Sequence, residues 1–189
     1  MNPKQTGIIG ITAVSLFATS LIVFGLLHPN FNFLTDYISK LGYKGTHLSS
    51  WWNLLGFGIP GILFTFFGFS YGRILSDKLA GVLLSIFGIG FALTAIPFNL
   101  ANEHSEASKA HILAITLGLA SWLFGLARLS YNKTLEPSII KRANIAAGFL
   151  GVFMIGSFLE LWSQPIAERL AITVVLSWIF VAAIALKNR

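Results

Sequence analysis

The sequence predicts an all-α integral membrane bundle of six transmembrane helices, with a short amphipathic interfacial helix in the first outer loop. Three observations carry this. Of the 189 residues, 55% are hydrophobic and 11% charged, and mean hydropathy is +0.76. A soluble domain carries about 25% charged residues, so this chain cannot cover a water-facing surface. The apolar residues also fall into six runs near the length a helix needs to cross a hydrocarbon core, about 20 residues. Finally, these runs do not alternate apolar with polar, as membrane-barrel strands do. The length suits one domain spanning residues 1–189.

The first run, Gly7–Leu27, follows a short head bearing Lys4. It is long for a signal-peptide core, and no small-x-small cleavage pattern precedes His28, so it reads as an uncleaved helix. The others are Trp51–Tyr71, with Pro60 near its middle, Leu79–Phe98, Ile112–Tyr131, Ala143–Trp162 and Leu170–Leu186. The last is short unless Ile166 begins it. Trp51, Trp52 and Trp162 read as interfacial anchors. Gly68 and Gly72, and in the fifth run Ala143, Ala147 and Gly151, have the spacing that lets helices approach closely.

Between the first two runs, Phe33, Leu34, Tyr37, Ile38 and Leu41 recur at helical spacing. Asp36, Ser39 and Lys40 fall on the opposite face, and Gly42 supplies a stop. This pattern predicts a short amphipathic helix over Asn32–Leu41, lying at the membrane interface.

Orientation follows from the basic residues. Nine lie on one side (Lys4, Arg73, Lys78, Arg128, Lys133, Lys141, Arg142, Lys187 and Arg189) and four on the other (Lys40, Lys44, Lys109 and Arg169). The expectation is a multi-pass protein of the cell membrane with both termini cytoplasmic. The net charge of +6 is scattered between apolar runs and forms no patch, which argues against a nucleic-acid partner. With no cysteine, thiolate metal sites and cysteine nucleophiles are excluded. The lipid bilayer is the expected partner, and the sequence sets no oligomeric state.

On this topology all four histidines, His28, His47, His104 and His111, fall on the outer side. Asp36, Glu103, Glu106, Glu160 and Glu168 fall there too. Asp77 and Glu136 fall inside. The expectation is a polar pocket at the outer helix ends, built from His28, Asp36, Ser39, His111 and Glu160. An ionisable group such as Glu160, in the outer turn of the fifth run, is costly in a membrane and faces a bundle interior or snorkels to the interface. Imidazole and carboxylate are zinc ligands, so His28, His47, His104 and His111 are metal candidates, although no His-Glu-x-x-His spacing is present. A metal-free acid/base site uses the same groups. Ser39, Ser105 and Ser108 are available hydroxyls.

His28-Pro29 directly after the first run is followed by Asp36-Tyr37-Ile38-Ser39-Lys40-Leu41-Gly42. Pro97 then ends the third run, and His111 opens the fourth. This arrangement resembles the family known as domain of unknown function 998, small polytopic membrane proteins of bacteria and archaea. The resemblance implies no established activity. It implies that His28, Asp36, Ser39 and His111 are motif positions. In plan the chain is also similar to membrane-embedded metal hydrolases, but it lacks their paired histidines one turn apart on a helix.

Two function classes fit. One is an enzyme acting on a lipid or lipid-linked substrate in an outer-face pocket. The other is a non-enzymatic small transporter, lipid-binding protein or membrane-complex subunit. The mid-membrane polar residues Asn53, Thr65, Ser85 and Thr94 are uncharged, which disfavours charge-coupled transport.

Overall fold

The computed structural model describes residues 1–99, 101–102 and 104–188. The sides expected for Glu103 and Arg189 concern residues outside that set. Six helices follow one another: α1 (Pro3–Leu27), α2 (Ser49–Ile74), α3 (Lys78–Leu93), α4 (Glu106–Tyr131), α5 (Pro137–Phe158) and α6 (Gln164–Lys187). No strand occurs among the described residues. Five of the six are long and apolar enough to cross a membrane; α3 is as apolar but has only 16 residues. The fold is therefore the all-α membrane bundle that the composition predicts.

Local chemistry sets the helix ends. Asn2 and Gln5 form a reciprocal capping box ahead of α1, with Pro3 in the first turn. Asp77 caps α3 and Ser105 caps α4, each accepting a backbone N–H three residues on. Pro137 and Pro165 sit in the first turns of α5 and α6, where their missing N–H costs nothing. The helix α2 carries a wide π turn over Asn53–Gly58, just ahead of Pro60. Proline offers no N–H to the carbonyl four residues back and its ring crowds that carbonyl, and the wide turn relieves both.

Two predicted ends move. The third helix stops at Leu93 and not at Phe98. The Thr94 hydroxyl takes up the Gly90 carbonyl at 2.9 Å, and Pro97 biases the residue before it away from helix. The fifth stops at Phe158 and not at Trp162. Leu161 N–H bonds Gly156 O at 2.9 Å and Glu160 N–H bonds Ser157 O at 3.1 Å, with Glu160 in the left-handed region at φ 57°. This is a Schellman ending. The same device ends α2, where Ser76 has φ 55° and the Asp77 N–H reaches Gly72 O at 2.9 Å.

The interfacial helix is also corrected. Asn32–Leu41 is a tight turn followed by a 3-10 helix, Ile38–Gly42. The Asp36 carboxylate accepts the Asn32 N–H at 2.8 Å, and the Asn32 side chain accepts the Leu34 N–H at 2.8 Å. These local bonds offer the backbone an alternative to helix. Leu34 and Tyr37 are exposed, while Ile38 and Leu41 are buried in the bundle core.

Each helix packs on its sequence neighbours, and α6 closes the ring on α1. Lipid tails are as apolar as leucine, so association rests on close van der Waals contact and not on burial from water. The tightest pair is α2 with α3. A Cβ on Gly72 would sit 2.3 Å from the Gly81 Cα, and one on Gly88 would sit 2.2 Å from the Thr65 nitrogen. The small face expected on the fifth helix behaves differently: Ala143 is buried, but a Cβ on Gly151 would meet nothing within 4 Å. Trp51 is exposed as an anchor should be. Trp52 is not an anchor: it is fully buried against Phe17, Phe24 and Phe57. Trp162 lies beyond α5, folded back over Gly156 and Phe153.

Both chain ends lie together. Gly7 abuts Ala183 and Lys187, and the Ser70 hydroxyl donates to Met1 Sδ at 3.3 Å. This terminal end also holds the α2–α3 and α4–α5 connections. There the buried Asp77 carboxylate accepts Arg128 Nε at 2.9 and 3.1 Å, Asn132 Nδ2 at 2.7 Å and the Ala80 N–H at 3.1 Å. Burial pushes the Asp77 carboxyl up; the Ala80 N–H, Arg128 and Asn132 outweigh that and hold it below its ordinary value. The opposite, distal end holds the other three connections.

Candidate functional site

The site is built where the 28–48 connection folds over the distal ends of α4, α5 and α6. Two neighbouring residues of α6 hold the connection down. Glu168 Oε2 accepts the Ile38 N–H at 2.7 Å, and the Ser39 backbone also bonds this carboxylate. Arg169 donates to Asp36 O and, at 2.8 Å, to Pro165 O. Within the connection, Lys40 Nζ pairs with Asp36 Oδ2 at 2.7 Å and reaches Asn30 O at 3.2 Å. Partial burial pushes the Asp36 carboxyl up; the Asn32 N–H and Lys40, with the His28 ring adding, draw it below its ordinary value. On the other flank the Lys44 N–H bonds Phe98 O at 2.9 Å, Tyr43 packs on Phe98, and Asn53 Nδ2 bonds Gly42 O at 3.0 Å.

Against this cover lies a wide-mouthed cavity of about 960 Å³, open past the exposed Met154 and Phe158. Its walls are Ile112, Ile115 and Leu119 of α4, Met154 and Phe158 of α5, and Ala167 and Ala171 of α6. Its polar lining includes Asp36, Ser39, Lys40, His111, Ser157, Gln164 and Glu168. A smaller, more apolar chamber of about 140 Å³ adjoins it, lined by Phe17, Phe57, Phe87, Phe91 and Val175 among others. Ser39, His111 and Glu168 line both spaces and so mark their junction. The helices α4 and α6 meet through Trp122 and Trp178, edge to face at 5.9 Å between centroids.

His111 is the most enclosed polar ring of the site, 7% exposed. It is flanked by Phe57 and Phe98, with centroids at 6.4 and 6.0 Å. Its Nδ1 lies 2.8 Å from Ile96 O. A carbonyl can only accept, so Nδ1 carries a proton, and in the neutral ring the lone pair then falls on Nε2. The early end of α3 is what brings the Ile96 carbonyl there.

Of the residues expected to form the pocket, Asp36, Ser39 and His111 line the cavity together. His28 does not line it; it is half-buried beside Phe31, with Nδ1 accepting the Asn30 N–H at 3.3 Å. Glu160 is exposed in its Schellman turn, outside the helix that was expected to carry it inward. His47 and His104 are exposed. Among the described residues no three His, Asp or Glu side chains are grouped so as to hold a metal ion. Ser105 and Ser108 serve the α4 cap: the Ser105 hydroxyl donates to Ser108 Oγ at 2.9 Å, and Ser108 Oγ accepts the Asn99 N–H at 3.1 Å.

Glu168 is not apparent as a site residue in the sequence, because the last apolar run, Leu170–Leu186, leaves it outside the sixth helix. Pro165 was the available signal. A proline in the first turn starts the helix at Gln164, which sets Glu168 one turn in, three residues before Ala171 and on its face.

Comparison with curated proteins and with solved structures finds no match to this chain. The family model described as "Protein of unknown function (DUF998)" matches residues 11–185, nearly the whole bundle, and the chain belongs to that family.

Proposed function

We propose that this is a multi-pass protein of the cell membrane, with both termini cytoplasmic, that takes a lipid or lipid-linked molecule into its distal, exoplasmic cavity. The cavity carries the reading. At about 960 Å³ it matches the upper range of small-molecule sites, about 300–1,000 Å³. Its walls are mostly apolar and carry a smaller set of polar groups, which suits a ligand with an apolar tail and a polar head. The excess of lysine and arginine at the terminal end supports the orientation.

His111 and Glu168 supply the chemistry such a ligand would meet. A neutral imidazole with a free Nε2 accepts a hydrogen bond or a proton. Asp36 acts differently from the role expected of it: its carboxylate is spent on Lys40 and the Asn32 N–H, so it shapes the cover.

Photocrosslinking tests the reading. Protein in nanodiscs is irradiated with a phospholipid carrying a diazirine in its acyl chain, and adducts are mapped by mass spectrometry. Adducts on Ile115, Leu119 or Ala171 are expected. Adducts confined to outward-facing residues such as Phe124 and Phe149, with no lipid retained in native mass spectra, overturn it. A retained lipid that wild type alters and His111→Gln does not would make the protein an enzyme; one left unaltered by both would make it a binding protein.

A further inference from the structure

We propose that the group received at the junction of the two chambers is a hydrogen-bond donor, a hydroxyl or an ammonium, and not a phosphate or carboxylate. This rests on the lipid reading above and specifies the head group it requires.

The polarity of the junction is set by how each polar side chain is already used. His111 gives the Nδ1 proton to Ile96 O, and the Thr94 carbonyl also bonds the ring; in the neutral form of that tautomer Nε2 offers a lone pair. Glu168 brings a carboxylate, an acceptor with about four lone-pair sites, of which the Ile38 and Ser39 N–H groups occupy only part. Ser39 adds a hydroxyl able to donate or accept. The junction is thus rich in acceptors.

The nearby cations have other hydrogen-bond partners, although the Arg169 charge acts on Glu168. Lys40 lines the larger chamber but is tied to Asp36 and Asn30 O. Arg169 follows Glu168 in sequence, yet its guanidinium bonds Asp36 O and Pro165 O, and it does not line either chamber. A phosphate entering here would face the Glu168 carboxylate, whose charge Arg169 offsets in part, while Lys40, the one cation among the described lining residues, is already paired with Asp36. Like charges at short range in a space of low dielectric repel strongly. A hydroxyl meets two acceptors instead. An ammonium gains the carboxylate as a charge-assisted partner.

The test is a competition read by native mass spectrometry on the full chain in detergent. Three probes share one hexadecyl chain and differ in the head: a glycerol ether, a primary amine and a phosphate monoester. The glycerol ether or the amine should occupy the protein at least about tenfold more than the phosphate, the scale of one charge-assisted hydrogen bond gained against one repulsion. Equal or greater occupancy by the phosphate overturns this inference and leaves the lipid reading standing. Retention of none of the three, with no interior crosslinks, sinks the lipid reading itself. Glu168→Gln and His111→Phe then separate the two donors. An ammonium loses its advantage in Glu168→Gln; a hydroxyl keeps it there and loses it in His111→Phe. A preference unchanged in both variants counts against the proposal, and the wild-type competition stands if either variant fails to fold.

Discussion

The Asp77 carboxylate, buried at the start of α3, accepts Arg128 Nε from the last turn of α4, 51 residues along the chain. One group thereby caps one helix and ties it to the next. Removing it leaves the Ala80 N–H and Arg128 without their acceptor. Asp77→Ala should cost roughly 2–4 kcal/mol, combining a lost cap with a broken, partly buried pair. Its pH dependence has a definite sign. The folded-state value is lowered, so the stabilisation is present above the unfolded-state value and disappears as pH falls through the folded one. Thermal unfolding in detergent should show wild type exceeding Asp77→Ala at neutral pH, with the gap closing below about pH 4. A gap that widens on acidification would contradict this.

The Ile38–Glu168 bond predicts a local effect. Glu168→Ala removes a charge-assisted hydrogen bond worth about 1.5–3 kcal/mol. Amide exchange across residues 30–43 should accelerate, while the α2–α3 pair stays protected. Equal acceleration in both regions would mean that Glu168 supports the whole bundle.

The two Schellman endings hold side-chain-bearing residues in a backbone region that favours glycine, Ser76 at φ 55° and Glu160 at φ 57°. Ser76→Gly and Glu160→Gly should each stabilise the protein by about 0.5–1 kcal/mol. Glu160→Gly should also leave ligand occupancy unchanged, since Glu160 does not line the cavity. A loss of binding in that variant would return Glu160 to the site.

The absence of cysteine makes the orientation directly testable. His47→Cys at the distal end and Lys133→Cys at the terminal end both lie at exposed positions. A membrane-impermeant maleimide added to intact cells should label the first, and the second only after permeabilisation. The reverse pattern would invert the proposed topology.

The helices were legible because length and hydropathy decide them. Capping residues and prolines settle their ends more finely than the apolar runs do, as Pro97 and Pro165 illustrate. The site was legible in part. Asp36, Ser39 and His111 stood out as polar residues beside apolar runs, but the use of each depended on partners distant in sequence. The Ile96 carbonyl fixes the tautomer of His111, and no side-chain pattern announces a carbonyl. Glu160 misled because a helix C-terminus without glycine hides its stop. The amphipathic pattern over Asn32–Leu41 was real, yet Asn32 and Asp36 bonded the local backbone and the apolar residues were divided between core and surface.

The wide turn at Asn53–Gly58 separates α2 into two lengths with independent rotational phase. Below it the helix is keyed to α3 through glycine contacts that tolerate no rotation. Above it Trp52 and Asn53 answer to α1 and to the Gly42 carbonyl. Winding these six residues as ordinary α-helix, with none deleted, would swing the upper length by about 100°, because a π turn takes up one extra residue. The indole would leave the core and the amide would leave the connection, so the roof over the cavity would lose its footing while the floor beneath it remained intact.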